Sequence, residues 1–282
     1  MSCLAGTLYL CATPIGNLGD ITVRVIEILK SVDIIAAEDT RNTLKLLNHF
    51  EIKTPMTSYH QHNMDTKGPV LIEKLKDGKN IALVTDAGMP GISDPGEDMA
   101  KRCCQEGIPV TIAPGASAGI SALVLSGMDA RRYIFEGFLP TDKKERQTVL
   151  KNLEKETRTT VFYEAPHRLT DTLGVLLKAA GDREASTVRE ITKRYEEVKH
   201  GTLGSLLEYY KENPPKGEFV VIVGGMSESV LRQEEIDGWN SISIEEHMKK
   251  YTDEGMSEKE AMKKVAKDRG VSKREIYAYL NR

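Results

Sequence analysis

Short runs of continuous apolar residues alternate with amphipathic helical stretches along most of this chain, and no other feature constrains the fold as strongly. Strands are predicted at residues 7–13, 33–37, 79–85 and 108–113, with helices at 22–32, 40–50, 97–106 and 117–126. A strand that is apolar on both faces must be covered on both faces by other elements. The pattern therefore predicts a mainly parallel sheet between layers of helices.

The same alternation begins again after residues 129–132 and continues to residue 225. Strands are predicted at 133–139, 159–163, 185–190 and 218–223, with helices at 143–156, 169–180 and 203–211. At 282 residues the chain is long enough for two domains and a smaller appendage. We therefore predict an α/β fold with two consecutive α/β domains, residues 1–130 and 131–225, each on a mainly parallel sheet, and a third segment at 226–282.

The C-terminal segment carries a different pattern, in which a serine is followed three residues later by a glutamate. This S-x-x-E capping box starts at Ser243, Ser257 and Ser272, and it satisfies free N–H groups at the beginning of a helix. Three repeats predict a small three-helix domain that resembles a helix-turn-helix. The polar segment 226–240 is predicted to tether it to the second α/β domain.

Positive charge is concentrated in the same segment. The whole chain has a net charge of −3, whereas residues 259–282 hold eight Lys or Arg and three acids, a local net of +5. Such a segment can contact nucleic-acid phosphates without reading sequence, although most lysine-rich helices are simply solvated. The candidates for contact with nucleic acid here are Lys263, Lys264, Lys267, Lys273 and Arg274.

Several classes of protein are disfavoured by motifs that the sequence lacks. No apolar run approaches the roughly 20 residues that cross a bilayer, and no basic stretch precedes the first apolar run, so we expect a cytoplasmic protein with no membrane partner. The spacing of Cys and His gives no C-x-x-C or H-E-x-x-H, so we expect no metal. The absence of G-x-G-x-x-G argues against a dinucleotide-dependent oxidoreductase.

Three loops rich in glycine and proline follow predicted strands, at residues 14–20, 86–96 and 114–118. Since the carboxyl ends of parallel strands meet at one edge of a sheet, these loops are expected to lie together where ligands bind. A single loop of this composition is more often a simple turn. The second loop has three glycines and two prolines in eleven residues, which indicates close approach of its backbone to a ligand.

Six strings carry a resemblance to a known family: ATPIGNLGD, AEDTR, TDAGMPGISDPG, APGASA, FYEAPHR and GEFVVIVGG, in this order between residues 7 and 225. Together they resemble the small-subunit ribosomal RNA cytidine 2′-O-methyltransferases of the tetrapyrrole methylase superfamily. The third and fifth strings are the most specific. The resemblance implies S-adenosyl-L-methionine in the cleft between the two α/β domains, a homodimer, and 2′-O-methylation of a cytidine in 16S ribosomal RNA within the small ribosomal subunit.

The resemblance also implies which residues hold the cofactor, largely through main-chain groups. Many relatives have Gly-Asp-Pro where this chain has Gly88-Met89-Pro90, so the contacts at position 89 are expected from the backbone. The implied cofactor-binding residues are Pro14, Met89, Pro90, Gly91, Ile92, Gly115, Ala116, Ser117, Phe162 or Tyr163, Val188 or Arg189, and Glu218.

A ribose 2′-OH is a poor nucleophile at neutral pH, and a general base would assist its reaction. Asp39, His60 and His167 are the predicted catalytic residues, with Glu38 and Glu164 as further candidates. Arg41 and Arg168 are candidates for contact with RNA. Asp39 equally suits a helix N-cap with Arg41 in a surface ion pair, and His60 suits a solvated loop. The sequence does not choose one base among these candidates.

Two other functions are compatible with the sequence. A methyltransferase of the same fold could act on a tetrapyrrole or another small molecule, but such an enzyme has no use for the basic C-terminal segment. A non-enzymatic nucleic-acid-binding protein would explain that segment but leaves the three glycine-rich loops without a role. Cofactor binding would separate this last reading from both methyltransferases.

Overall fold

The computed structural model describes residues 5–281, so the first four residues of the predicted N-terminal domain and Arg282 lie outside the described residues. The N-terminal domain is built from β1 (Leu8–Cys11), α1 (Val23–Ser31), β2 (Ile34–Ala37), α2 (Thr40–His49), β3 (Met56–Ser58), α3 (Met64–Lys76), β4 (Ile81–Val84), α4 (Gly96–Gln105) and β5 (Val110–Ala113). The strand order is β3-β2-β4-β1-β5, and every pair is parallel, as predicted.

Helices cover both faces of this sheet because its strands are apolar on both sides. Strand β4 is buried along its whole length. Leu47 of α2 packs with α1 on one face, and Met99 of α4 packs with α3 on the other. Neither β3 nor α3 is predicted, because β3 has three residues and α3 contains Gly68 and Pro69, which both oppose helix formation.

A second sheet of five strands follows in the chain. The elements of this part are α5 (Ala118–Ser126), β6 (Tyr133–Phe138), α6 (Lys143–Glu154), β7 (Thr159–Glu164), α7 (Pro166–Ala180), β8 (Glu184–Arg189), β9 (Glu197–Thr202), α8 (Leu203–Glu212) and β10 (Phe219–Val223). The strand order is β6-β7-β10-β8-β9. Helices α6, α7 and α8 cover one face of this sheet.

The expectation that this second sheet is mainly parallel is wrong. Strands β6 and β7 are parallel, whereas β10 runs antiparallel to β7 and β8, and β9 runs antiparallel to β8. The prediction failed because of β9, a strand that the sequence does not reveal since EVKHGT contains no apolar run. Since β9 forms a hairpin with β8, the crossover through α8 starts from β9 and brings β10 back in the reversed direction.

Helix α5 connects the two sheets. Its buried residues Ala122 and Leu123 pack against Val161, Val188 and Ile222 of the second sheet, on the face that α6 to α8 leave uncovered. The predicted division at residue 130 follows α5 in the chain, yet the packing of α5 belongs with the second sheet. This placement brings the loop before α5 to the space between the sheets.

The C-terminal segment contains four helices, α9 (Glu228–Asn240), α10 (Ile244–Asp253), α11 (Glu258–Asp268) and α12 (Lys273–Leu280). Most of the predicted polar tether at 226–240 is helical, because Ser227 caps α9 there. The three predicted helices are present: Ser243, Ser257 and Ser272 each accept a hydrogen bond from the backbone N–H three residues on. Within residues 5–281 no helix is long and apolar enough to cross a membrane.

Candidate active site

A cavity of about 630 Å³, here called the main cavity, lies where the carboxyl edge of the first sheet meets the second sheet. The loops after β1, β2 and β4 form one side of it, and the start of α5 with the ends of β7, β8 and β10 forms the other. Its lining residues are Ile15, Glu38, Thr85, Asp86, Ala87, Gly88, Met89, Ile92, Ser93, Asp94, Ser117, Ala118, Phe138, Tyr163, Glu164, Ala165, Pro166, His167, Val188, Ile191, Glu218, Phe219 and Val220.

The loop between β4 and α4 is folded around the carboxylate of Asp94. That carboxylate accepts hydrogen bonds from the backbone N–H groups of Gly91 (2.9 Å), Ile92 (3.1 Å) and Gly96 (2.7 Å). Gly88 and Gly91 have φ angles of +83° and +87°, a conformation that L side chains rarely adopt. Glycine at positions 88 and 91 is therefore explained by the fold of this loop, and the close approach of its backbone to a ligand stays a prediction.

The loop after β1 is fastened to the loop after β4. Thr13 and Gly88 exchange two backbone hydrogen bonds, from Thr13 N–H at 2.9 Å and from Gly88 N–H at 3.1 Å. The Thr13 hydroxyl also donates to the carbonyl oxygen of Thr85 at 3.1 Å. These contacts hold the two loops in a fixed relation at the sheet edge.

Negative charge dominates the main cavity. The carboxylate of Glu38 accepts a hydrogen bond from the Thr85 hydroxyl at 2.6 Å, and the same Oε2 atom lies 3.4 Å from the backbone nitrogen of Asp86. No Lys or Arg is found among the lining residues in the described part of the chain. Such a wall attracts a cationic ligand and repels phosphate groups. The five carboxylates are those of Glu38, Asp86, Asp94, Glu164 and Glu218. Glu164 is paired with Arg168 at 3.4 Å and Glu218 with Lys193 at 2.8 Å, which leaves three of them without an ion pair among the described residues.

Tyr163 presents its ring to the main cavity from β7. Its hydroxyl accepts a hydrogen bond from Gly119 N–H at 3.1 Å, and its ring makes edge contacts with Phe135 and Phe138 at centroid distances of 5.0 and 5.7 Å. Burial raises the pKa of the Tyr163 phenol, which stays protonated at neutral pH. Because side chains alternate along a strand, Phe162 points to the opposite face and is fully buried in the core.

Glu164 and Arg168 form a contact inside the FYEAPHR string. The buried Glu164 carboxylate accepts hydrogen bonds from the Thr172 hydroxyl (2.6 Å) and from Ala165 N–H (2.9 Å), and Arg168 Nε lies 3.4 Å away. Arg168 also donates to the carbonyl oxygen of Leu139 at 2.7 Å. Protein groups therefore engage this guanidinium, which disfavours the predicted contact of Arg168 with RNA.

The predicted cofactor residues are partly brought together. Pro90 and Gly91 belong to the same loop as the lining residues Met89 and Ile92. Gly115 and Ala116 directly precede Ser117 but do not line the main cavity. Arg189 does not line it either, and its guanidinium lies 3.5 Å from the Glu197 carboxylate in an ion pair. Phe162 is in the core, and Pro14 lines a second cavity. The predicted residues that line the main cavity are Met89, Ile92, Ser117, Tyr163, Val188 and Glu218.

A second cavity of about 220 Å³ adjoins the main cavity at the same sheet edge. We call it the Asn42 pocket. It lies between the loop after β1 and helix α2, and it shares Thr85 and Asp86 with the main cavity. Its lining residues are Thr13, Pro14, Gly16, Leu18, Asn42, Thr43, Lys45, Leu46, Thr85 and Asp86.

Of the three predicted catalytic residues, His167 alone lines the main cavity. Asp39 caps α2 and pairs with Arg41, whose guanidinium lies 2.7 Å from the carboxylate. Hydrogen bonds from Arg41 lower the pKa of Asp39 to about 2, which makes it a weak base. His60 lines neither cavity, and its Nε2 lies 3.2 Å from the Asn63 amide. Of the two interpretations of Asp39, the structure therefore favours the helix N-cap with Arg41 in a surface ion pair.

The other predicted RNA-contacting residues lie on the surface. The Arg41 side chain is largely exposed although it is paired with Asp39. On α11, Lys264 lies 3.9 Å from Asp268 in a weak ion pair. The remaining predicted contacts are all exposed and have no ion pair within the described residues: Lys263, Lys267, Lys273 and Arg274.

Several lining residues were not singled out from the sequence. Thr85 ends the strand predicted at 79–85 and Asp86 begins the predicted loop 86–96, and the rule that ligands bind beyond the carboxyl ends of strands would have found them. Phe138 and Ile191 line the cavity only because β6 and the β8–β9 hairpin fold beside it. No local sequence signal marks those two positions.

Comparison with known proteins places these features in a family. Residues 7–207 match the family described as Tetrapyrrole (Corrin/Porphyrin) Methylases. A relative from Halalkalibacterium halodurans is 51% identical over 272 residues, covering 96% of this chain and 93% of its own. One from Bacillus subtilis is 48% identical with the same coverage, and one from Synechocystis is 44% identical, covering 96% of both chains. All three are named Ribosomal RNA small subunit methyltransferase I.

Solved structures share the fold at low sequence identity. Diphthine synthase superposes with a TM-score of 0.62 at 16% identity, covering 78% of this chain and 90% of that one. Uroporphyrin-III-C-methyltransferase from Thermus thermophilus gives a TM-score of 0.56 at 18% identity, covering 78% and 94%. The predicted fold class is confirmed apart from the strand directions of the second sheet, and the resemblance is confirmed. This chain therefore belongs to the tetrapyrrole methylase family, together with the proteins named ribosomal RNA small subunit methyltransferase I.

Proposed function

We propose that this protein uses S-adenosyl-L-methionine to methylate the 2′-oxygen of a cytidine in 16S ribosomal RNA. Its family and the names of its relatives support methyl transfer to small-subunit ribosomal RNA. The observation that carries the proposal is the charge of the main cavity, which is lined by five carboxylates, three of them without an ion pair among the described residues, and by no Lys or Arg of residues 5–281. A ligand with a sulfonium and an ammonium group suits this wall, whereas an RNA backbone does not.

The cofactor fits the residues that are present. The backbone from Gly88 to Ile92 would hold the methionine part of the cofactor. Glycine at position 88 leaves room for it, because a Cβ atom there would lie 3.3 Å from the Ile15 Cγ2 atom and would narrow the main cavity. The apolar side chains of Val188 and Ile191, with the ring of Tyr163, would lie beside the adenosine. The carboxylates of the main cavity would balance the positive charge of the sulfonium and ammonium groups of the cofactor.

When bound, the cofactor would supply a sulfonium methyl group: an O–CH₃ bond forms at the ribose, the C–S bond breaks with its electron pair left on sulfur, and the hydroxyl proton is accepted by a base. Glu38 is the base that we propose. The Thr85 hydroxyl fixes its Oε2 atom at 2.6 Å, and Oε1 accepts no hydrogen bond from residues 5–281. His167, from the other side of the cavity, is the alternative base.

The exposed basic residues of α11 and α12 would contact RNA phosphates in the small ribosomal subunit. Because this substrate is found in the cytoplasm, we propose that the protein acts there. Replacing four of these basic residues by Glu should weaken binding to small subunits and flatten its salt dependence, with cofactor affinity unchanged. A control that replaces four exposed lysines of α6 and its C-cap has the same charge change. The replaced residues are Lys263, Lys267, Lys273 and Arg274, and in the control Lys143, Lys144, Lys151 and Lys155.

A homodimer belongs to the same proposal. Helix α5 exposes Ile120 and Val124, one turn apart, at 46% and 70% of their surfaces. Apolar side chains that share a helix face and stay exposed are typical of an interface. A second copy of the chain is the partner that we propose for this face.

The experiment that tests the function uses tritiated S-adenosyl-L-methionine and purified protein. The acceptors are small ribosomal subunits from a strain that lacks the gene, and the labelled RNA is digested to nucleosides. Label in 2′-O-methylcytidine is the expected result. Cofactor binding without label in RNA would contradict the proposal and would favour a small-molecule acceptor instead.

A further inference from the structure

We propose that the Asn42 pocket holds the base of the target cytidine, unstacked from the RNA, with Asn42 and Asp86 against its hydrogen-bonding edge. This inference rests on the proposed function and assigns the substrate site that the main cavity does not provide. Since carboxylates line the main cavity and repel phosphate, the RNA must present its nucleoside from another side. Enzymes that act on single nucleotides commonly read an extruded base in a pocket of this kind.

The position of the pocket suits an acceptor beside a methyl donor. Thr85 and Asp86 line both cavities, so ligands in the two cavities would both contact these residues and would lie next to each other. Glu38 is hydrogen-bonded to Thr85 at this shared wall. Thr13 lines the Asn42 pocket and Gly88 lines the main cavity, and the paired backbone hydrogen bonds between them hold the two walls in register.

The size of the pocket suits a pyrimidine. Its volume of about 220 Å³ corresponds to about seven water molecules at ~30 Å³ each. That is the scale of one pyrimidine ring with part of its sugar, and it is too small for a tetrapyrrole. Pro14, Leu18 and Leu46 supply apolar surface against which a flat ring can pack.

The polar groups of the pocket match the edge of cytosine. Asp86 Oδ1 is fixed by the backbone N–H of Asp39 at 3.1 Å, while Oδ2 has only a 3.4 Å contact with the Asn42 amide. Lys45 Nζ lies 3.5 Å from Asn42 Oδ1, at the limit of a hydrogen bond. These long contacts exchange readily for ligand hydrogen bonds.

The chemistry of the two side chains favours cytosine over uracil. A carboxylate accepts a hydrogen bond from the exocyclic amine of cytosine, and an amide N–H donates to its ring nitrogen N3. Uracil would instead place a carbonyl oxygen against Asp86 and an N–H against the Asn42 amino group. Lys45 is the one Lys or Arg among the described residues that line either cavity, and it is positioned for the phosphate next to the base.

The test replaces Asn42 and uses Asn48 as its matched control, because Asn48 is exposed on the same helix and lines neither cavity. For Asn42→Ala we expect a loss of about tenfold to a hundredfold in kcat/KM for small subunits, as for one lost base-reading pair. Affinity for S-adenosyl-L-methionine, measured by calorimetry, should stay within about twofold of the parent protein. Asn48→Ala should match the parent in both measurements.

A second variant tests base discrimination. Asp86→Asn can donate to a carbonyl oxygen, so the preference for a target cytidine over a uridine at the same position should shrink by about tenfold or more. Small subunits that carry uridine at the methylated position provide the comparison. The binding of both kinds of subunit is measured by filter retention, which does not depend on methyl transfer.

The outcomes separate the two proposals. If the parent protein labels RNA and Asn42→Ala labels it equally well, the base site is overturned while the proposed function stands. If Asn42→Ala loses cofactor affinity, Asn42 belongs to the cofactor site and the inference also fails. If the parent protein transfers no label to RNA, the proposed function fails and the base site fails with it.

Discussion

The Thr85 hydroxyl donates a hydrogen bond of 2.6 Å to Glu38 Oε2 and thereby joins the ends of β4 and β2 on the wall of the main cavity. A short bond to a charged acceptor fixes the orientation of the carboxylate. Its second oxygen, Oε1, accepts no hydrogen bond from residues 5–281. This pair is the arrangement on which the proposed base depends.

Replacing Glu38 by Gln should slow methyl transfer by about a hundredfold or more, because the amide keeps the shape of the side chain but cannot accept the proton. The rate is measured in a single turnover with small subunits, and cofactor affinity is measured separately. Glu27→Gln, at an exposed position of α1 that lines neither cavity, is the control. If His167→Gln is slow and Glu38→Gln is fast, the base is His167.

Part of this site could be predicted from the sequence, namely the part that backbone loops form. Gly88 and Gly91 have left-handed backbone angles, and this requirement shows in the sequence as glycine. Asp39 shows the opposite case: a carboxylate after a strand suits both a base and an N-cap, and only the contact with Arg41 decides. The choice between a base and an N-cap depends on residues that lie nearby in the folded protein, and the local sequence does not determine it.

The fold, too, was predictable only where an element carries a signal in its own sequence. Apolar strands such as β4 and capped helices such as α10 carry local signals, whereas the polar edge strand β9 carries none. Missing that strand reversed the predicted direction of β10. The Asn42 pocket was likewise invisible, because it arises from the packing of the loop at Leu18 against α2.

Asp94→Ala should lower both cofactor affinity and the free energy of unfolding. Removing the carboxylate leaves the N–H groups of Gly91, Ile92 and Gly96 without their acceptor, at a cost of about 2 kcal/mol in stability. Chemical denaturation and calorimetry measure the two effects. Asp77→Ala, at an exposed aspartate outside both cavities, should change neither. An unchanged cofactor affinity in Asp94→Ala would show that this loop does not hold the ligand.

Val124→Glu should convert the proposed dimer into a monomer, because it buries a charge in the apolar face of α5. Light scattering after size-exclusion chromatography gives the mass of each species. Val23 offers a matched control: it is 71% exposed, against 70% for Val124, and lies on α1. Val23→Glu should leave the mass unchanged, and a dimeric Val124→Glu would place the interface elsewhere.

The C-terminal helical domain should lose stability in mild acid through His247. The His247 ring is fully buried and stacks on Trp239 with 3.9 Å between ring centroids, while Arg269 Nε donates to its Nδ1 at 3.2 Å. Burial, and then the charge of Arg269, lower the pKa of His247 below its usual value of about 6.5. The unfolded domain therefore binds a proton more readily than the folded one.

The stability that neutral His247 contributes is thus present above about pH 6.5 and is lost as the pH falls toward the lowered folded-state pKa. Trp239 is the only tryptophan of the chain, so its fluorescence during urea titrations at several pH values reports this domain. His247→Gln keeps an acceptor for Arg269 but does not titrate, and its stability should be lower and nearly independent of pH between 5 and 7. His49→Gln, at an exposed histidine, should keep the pH dependence of the parent. The same acid sensitivity in His247→Gln would assign the effect to another group.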